Sequence, residues 1–396
     1  MTPLVLSACT AVSALGVGAA AHRAALLSGT SGLRPNDYEP ALGGWIGRVA
    51  GVEAAALPAG FAAYDCRNNR LAAMALAADG FGARVAAARE RYGAARVGVV
   101  LGTSTSGVTA AEEAYRQRDA AGALPAGFDY DHTQDLYSVA GFVRGALGLE
   151  GPALVISTAC ASSARCFVDA AQLMRAGLCD AVVVGGADSL CRMTLHGFAS
   201  LELLSPVACR PGSAARSGIS IGEAAGFALL ERVESGAEGM RLLGAGSSSD
   251  GYHMSSPHPE GAGAVLAMRE ALADAGLAPG AVDWVNLHGT GTRANDAMED
   301  VAVHAVFGDA VACSSTKGWT GHTLGACGIL EALIIRECMA AGVVPGALSD
   351  GLGGSAVDPS FRSRVVAATE QRAVRRVVSN AFGFGGINCS LVFGAA

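Results

Sequence analysis

The sequence predicts an α/β fold built from two similar halves, and three observations lead there. Short apolar runs recur along the chain. Ala-rich segments of helical period separate them. A strand, a loop with reactive side chains and a helix then occur once in each half, the mark of an internal duplication.

The apolar runs are "LVLSA", "RVGVVLGT", "ALVIST", "DAVVVGGA", "GFALLE", "DWVNLHG", "AVACSST" and "RRVVSNAFG". Several lack polar–apolar alternation, as strands do when both sheet faces are covered by helices. The helical segments are 67–89, 161–177, 263–276 and 325–341. The stretch 104–150, of mixed polarity with several aromatics, reads as an insertion or cap. The stretch 205–222, "SPVACRPGSAARSGISIG", reads as a long Ser/Gly-rich loop, and such loops in compact domains tend to be functional. The duplication divides near residue 240. Residues 1–240 form the half with the cap and a candidate nucleophile, and 241–396 the half with candidate histidines, a lysine and a glycine-rich loop.

Composition narrows the class of activity. The 396 residues include 54 Gly, are 51% hydrophobic and only 16% charged, which suits a large, tightly packed protein that forms an oligomer. The net charge is −7 and no Lys/Arg block stands out, so neither nucleic acid nor an anionic membrane is an expected partner. Eleven cysteines with no CxxC pair argue against a disulfide framework and a zinc site, and for a reducing cytoplasm. The run ending at Cys9 resembles a lipoprotein cleavage box, but it lacks a charged start and an apolar core, so a first buried strand is expected there. No apolar run reaches the ~18 residues of a spanning helix.

Four stretches carry chemistry. In "ALVISTACASSARCFVDAAQLMRAG" Cys160 falls between a strand and a helix start, where the helix dipole and free N–H groups favour a thiolate. A small buried structural cysteine is the alternative. "NLHGTGTRANDAMED" puts His288 at a strand end beside Thr290 and Thr292. "SSTKGWTGHTLGACGILEA" puts Lys317 and His322 before an apolar helix, with Glu331 fourteen residues after the lysine and able to pair with it. "NAFGFGGINCS" packs three glycines around Phe384, which implies unusual backbone angles and a close approach, more than a bare hairpin turn needs. Together, one thiol, two imidazoles and a lysine are the parts for acyl transfer to sulfur followed by carbon–carbon bond formation. Two neutral imidazoles can stabilise the enolate left when a malonyl thioester loses carbon dioxide. The N–H groups of Cys160 and Phe384 can form an oxyanion hole. Neither step requires a metal or organic cofactor.

With these motifs in this order, the chain resembles the β-ketoacyl-[acyl-carrier-protein] synthases, condensing enzymes of the thiolase superfamily. "STACASSA", "HGTGTRANDAMED", "SSTKGWTGHTLGACGILE", "SNAFGFGGINCSLVFG" and the segment 247–268 carry the likeness over the whole length. The resemblance implies a duplicated thiolase-like fold of five layers, α-β-α-β-α. It implies Cys160 as the acylated nucleophile, and His288 and His322 as the pair that binds the malonyl thioester carbonyl. It implies Lys317 with Glu331 as support, Thr290 and Thr292 on the phosphopantetheine arm, Phe384 as gate, and Asp296 and Glu299 as supports behind His288. Substrates would ride on acyl carrier protein, and the enzyme would be a homodimer or a heterodimer with a related synthase subunit. An inactive partner subunit of the chain-length-factor type is the alternative, although such proteins usually lose the nucleophile. A thiolase would carry a second cysteine in a Cys-x-Gly context, which "GFGGINCS" lacks. Departures from the family pattern gather in the 205–222 loop, where Ser213 and Ser217 replace acidic residues and Ile219 an aromatic. The segment 66–76 is also unlike the commonest housekeeping versions. Both point to a specialised enzyme, for example one building a polyene or pigment chain.

Overall fold

The computed structural model describes residues 1–233, 238–347 and 356–396. Eleven strands and one two-residue segment form a single sheet. They are β1 (Leu4–Ser13), β2 (Val97–Gly102), β3 (Ala153–Ile156), β4 (Ala181–Asp188), β5 (Ala224–Arg232), β6 (Met240–Ser249), β7 (Trp284–Asn286), β8 (Ala312–Ser314), β9 (Arg364–Val365), β10 (Arg376–Gly383) and β11 (Ile387–Gly394). Their order is β9-β8-β7-β10-β11-β6-β1-β5-β4-β2-β3.

The duplication is written in the pairing. From β1 outward, β1 and β5 pair antiparallel, β5 and β4 antiparallel, β4 and β2 parallel, β2 and β3 parallel. From β6 outward the same sequence repeats through β11, β10, β7 and β8. β1 pairs with β6 and joins the two sets. Hence the loop after β3, with Cys160, and the loop after β8, with Lys317 and His322, are structural equivalents. So are the loop after β2 and the loop after β7 with His288.

Three apolar clusters set the layers. Helices α1 (Arg67–Ala77), α2 (Phe81–Tyr92) and α3 (Ser138–Ala146) cover one face of β1, β2, β4 and β5. Helices α4 (Ser162–Arg175) and α7 (Cys327–Ala341) fill the middle and touch strands of both sets. Helices α5 (Ala262–Ala275) and α6 (Arg293–Phe307) cover the outer face of the second set. The five-layer order follows because α7 is buried almost all round, as "CGILEALIIRECMAA" requires, and only a central layer accommodates such a helix.

Several expectations change. The segment 67–89 is two helices rather than one, since Asp79 and Gly80 both adopt positive φ, and the Asp79 carboxylate accepts from the Ala19 N–H. The stretch 104–150 is only partly a cap, because Val139, Ala140, Phe142 and Val143 of α3 are fully buried in the core. Strand β3 is an edge strand with Leu154 exposed, whereas β2 and β4 are buried throughout. No single helix among the described residues is long and apolar enough to cross a membrane.

Candidate active site

The C-terminal ends of the parallel strands, and the loops that leave them, converge on one cleft. Open α/β sheets place ligands at such strand ends. Cys160, His288, His322, Thr290, Thr292 and Phe384 all line it.

Cys160 lies on a tight turn between β3 and α4. Ala159 has φ +49°, a left-handed value rare for alanine, and the Ser162 hydroxyl accepts from Thr158 N–H and donates to Ala159 C=O. Gly383, at the end of β10, lies so close that a Cβ there would sit 2.7 Å from the Thr158 oxygen. Of the three glycines, Gly383 makes this approach; Gly386 lies against Asp250 and Gly385 faces open space. The glycine-rich segment is nevertheless a hairpin connection between β10 and β11, with Gly385 and Gly386 at positive φ. It brings the Phe384 N–H near the Cys160 sulfur, where it and the N–H of Cys160 favour negative charge on that sulfur. The Phe384 ring is partly exposed and packs on Phe198, with centroids 5.6 Å apart.

The sulfur of Cys160 and one ring nitrogen each of His288 and His322 lie within 4.8 Å of one another. Burial holds both imidazoles well below the usual histidine range, and the Lys317 ammonium pushes the same way, so both are neutral. Nδ1 of His322 faces the Leu324 N–H at 3.2 Å, so the ring proton sits on Nε2. Burial pushes the Cys160 thiol up to about 11. Lys317 pulls it down and Asp188 pushes it up. The dipole effect expected from sequence is therefore outweighed, because α4 begins two residues beyond the cysteine while the side chain is dry. The three side chains have the donor atoms of a three-ligand metal site, but the same ammonium disfavours a second cation there.

Lys317 opens the one-turn helix Lys317–Thr320, and its Nζ lies 2.7 Å from Glu331 Oε1, both fully buried. Burial works against its charge, and the Glu331 carboxylate more than offsets this, raising the lysine above its ordinary value. Glu299 accepts from the His288 and Gly289 N–H groups, each at 2.8 Å, and from Asn380. Burial against those three donors leaves its carboxyl at about 7. Asp296 accepts from Gly291 N–H and from Gly212 N–H of the 205–222 loop. Thr292 caps α6 and its hydroxyl meets that of Thr290 at 3.0 Å. Within the loop, Ser217 bonds to Ser205, and Ile219 lines the cleft with Phe198 and Leu203.

Two residues near Cys160 carry no motif in the sequence. Cys327 points its Sγ at the Cys160 carbonyl, 3.1 Å away. Asp188 ends β4 and gathers donors from two loops. Its one sequence signal is an acid closing the apolar run "AVVVGGAD".

Comparison with known proteins gives concordant results. The family profile described as beta-ketoacyl synthase, N-terminal domain, matches residues 68–236, and the one described as beta-ketoacyl synthase, C-terminal domain, matches 240–349. Nodulation protein E of Rhizobium sp. (strain N33) is 36% identical over 307 residues, covering 75% of each chain. The 3-oxoacyl-[acyl-carrier-protein] synthase 2 of Vibrio cholerae is 34% identical over 321 residues, covering 76% of each. A solved structure of a ketosynthase in complex with its chain length factor, from Xenorhabdus doucetiae, matches with TM-score 0.89 and 37% identity, covering 100% of this chain and 98% of the other.

Proposed function

The chain belongs to the β-ketoacyl synthase family of carbon–carbon bond-forming acyltransferases, and from that membership we propose how its own residues perform the decarboxylative condensation. An acyl thioester on a carrier's pantetheine arm is attacked by Cys160 sulfur. The thiol proton passes through an imidazole to the departing pantetheine sulfur, leaving an acyl-cysteine. A malonyl thioester then enters with its pantetheine arm against the Thr290 and Thr292 hydroxyls. His288 and His322 donate to its thioester oxygen, carbon dioxide leaves, and the resulting carbanion attacks the acyl-cysteine carbonyl. Cys160 is released and takes up a proton. The N–H groups of Cys160 and Phe384 serve the tetrahedral oxyanion. The observation that carries this reading is the meeting of one thiol and two neutral imidazoles within 4.8 Å, in a cleft that Phe384 also lines. The same cysteine and histidines disfavour the reading as an inactive partner subunit.

Substrate and partners are part of the same proposal. We assign the enzyme to a specialised chain such as a polyene, working on acyl carrier protein in the cytoplasm, with a chain-length-factor-type chain as its partner in a heterodimer. Solved relatives named as ketosynthases with chain length factors support this. So does the apolar wall of Ile219, Phe198 and Leu203, and so does β3, an edge strand that ends at the nucleophile and offers a pairing surface. The test is intact-protein mass measured on the chain alone and with such a partner, using saturated and polyunsaturated acyl carriers of equal length. Faster acylation by the unsaturated carriers is expected. Equal rates remove the polyene assignment, and full activity of a stable homodimer removes the heterodimer.

Glu299 makes the reaction pH-dependent. The ionised carboxylate accepts from His288 and Gly289, so condensation should fall as pH drops through about 7 and Glu299 takes up a proton. Stability runs the other way. A carboxyl held above its unfolded value contributes most below that value and loses the contribution as pH rises to about 7. Glu299→Gln, unable to titrate and offering one acceptor where two N–H groups need one each, should lose on the order of tenfold in rate. Its rate–pH curve should be flat near 7, and an unchanged inflection would assign that titration elsewhere.

A further inference from the structure

We propose that Asp188 is a positioning residue, a buried carboxylate that locks the loop after β2 to the turn that orients His322. The inference rests on the reading of Cys160 and His322 as reacting groups. Asp188 is fully buried, and no Lys, Arg or His nitrogen lies within ion-pair distance of it among the described residues. Hydrogen bonds hold it instead. Oδ1 accepts from Thr103 Oγ1, Ser104 N–H, Thr105 N–H and Thr105 Oγ1, all at 2.8–2.9 Å. Oδ2 accepts from Ser104 Oγ and from Gly325 N–H, each at 2.5 Å.

The last of these bonds is the one that reaches the site. Gly325 follows Leu324, whose φ is +52°, and the Leu324 N–H is the group that faces His322 Nδ1. A non-glycine residue in that region is held by its surroundings. Asp188 fixes the residue after it, and thereby keeps an N–H on Nδ1 and a proton on Nε2. The same carboxylate lies within electrostatic reach of Cys160, Cys191 and Cys327. Around Cys160 it opposes Lys317, which is itself paired with Glu331, while His288 and His322 are neutral. Burial is the main reason the resting thiol stays protonated, and the Asp188 carboxylate adds to it against the pull of Lys317.

Asp188→Asn tests both effects. The amide keeps the shape. With its oxygen turned to the two backbone N–H groups of the β2 loop, its NH2 meets Gly325 N–H and that bond is lost. Malonyl decarboxylation should fall on the order of tenfold or more in kcat with KM little changed, since a buried donor loses its acceptor. The pH midpoint for alkylation of Cys160 by iodoacetamide, located by mass spectrometry, should move down as the negative charge disappears. Ser104→Ala keeps the carboxylate and removes one donor to it, so the same midpoint should move up. Packing alone gives no reason for shifts of opposite sign. A folded Asp188→Asn enzyme with unchanged decarboxylation and an unchanged midpoint overturns the proposal. If that variant does not fold, an unmoved midpoint in Ser104→Ala overturns it. Failure of the reading of Cys160 itself is separate, and would be seen as condensation surviving in Cys160→Ala.

Discussion

Cys160→Ala should abolish condensation, with a loss on the order of 10⁴–10⁶-fold, and leave malonyl decarboxylation measurable. The asymmetry follows from where the groups sit. Sulfur is the only atom the substitution removes from the acyl-transfer step. The two imidazoles and the Phe384 N–H belong to the loops after β7, β8 and β10 and are held by their own contacts. A small void opening on the cleft is the main structural consequence, because the Cys160 side chain lines that cleft. The buried thiol adds a second expectation. With its pKa pushed up to about 11, the thiolate fraction at pH 7 is on the order of 10⁻⁴. The resting enzyme should therefore alkylate slowly at neutral pH and much faster in alkali, while acyl carriers, which bring a leaving group able to take the proton, react at neutral pH. Intact mass after incubation with an acyl carrier, for the natural chain and the variant, checks the first point. An acyl adduct that persists in Cys160→Ala would move the nucleophile to another residue.

Much of this arrangement can be read from short motifs because the reactive residues lie at strand ends. A strand end joined to a Gly-rich loop and then a helix is a local pattern, and "STACASSA" and "SSTKGWTGH" display it at equivalent points of the duplicated sheet. What escapes is non-local. β6 has alternating burial, but its inward positions include Gly244 and Gly246, which let the α5 backbone come close and leave no hydrophobic pattern to see. The break at Asp79–Gly80 was hidden by alanines on both sides. At Cys160 the helix dipole is a local effect, and the burial that outweighs it comes from segments distant in the chain. Asp188 resembled any acid at the end of a strand, since its meaning lies in donors 83–85 and 137 residues away.

Removing one member of the Lys317–Glu331 pair should cost the most stability of any change near the cleft. Each group is fully buried and each has the other as its ionic partner at 2.7 Å. Lys317→Ala leaves a carboxylate in a dry interior, and Glu331→Ala leaves an ammonium, each at a cost of about 3–5 kcal/mol. The double variant Lys317→Met, Glu331→Leu removes both charges and keeps the volume, so most of the stability should return. Its chemistry should not. The ammonium is one reason the imidazoles of His288 and His322 stay neutral, so without it both pKa values rise toward the ordinary histidine range. A protonated His322 would set an Nδ1–H against the Leu324 N–H, and the turn that orients the ring would no longer be satisfied. Malonyl decarboxylation by the double variant should thus show a steeper acid limb than the one Glu299 already gives, with the two histidines now titrating on the low-pH side of neutrality, where in the natural enzyme they do not. Thermal melts of the three variants, with the rate–pH curve of the double one, separate the two roles. If its stability returns and its histidine-linked pH profile is that of the natural enzyme, Lys317 acts through packing and ion pairing alone.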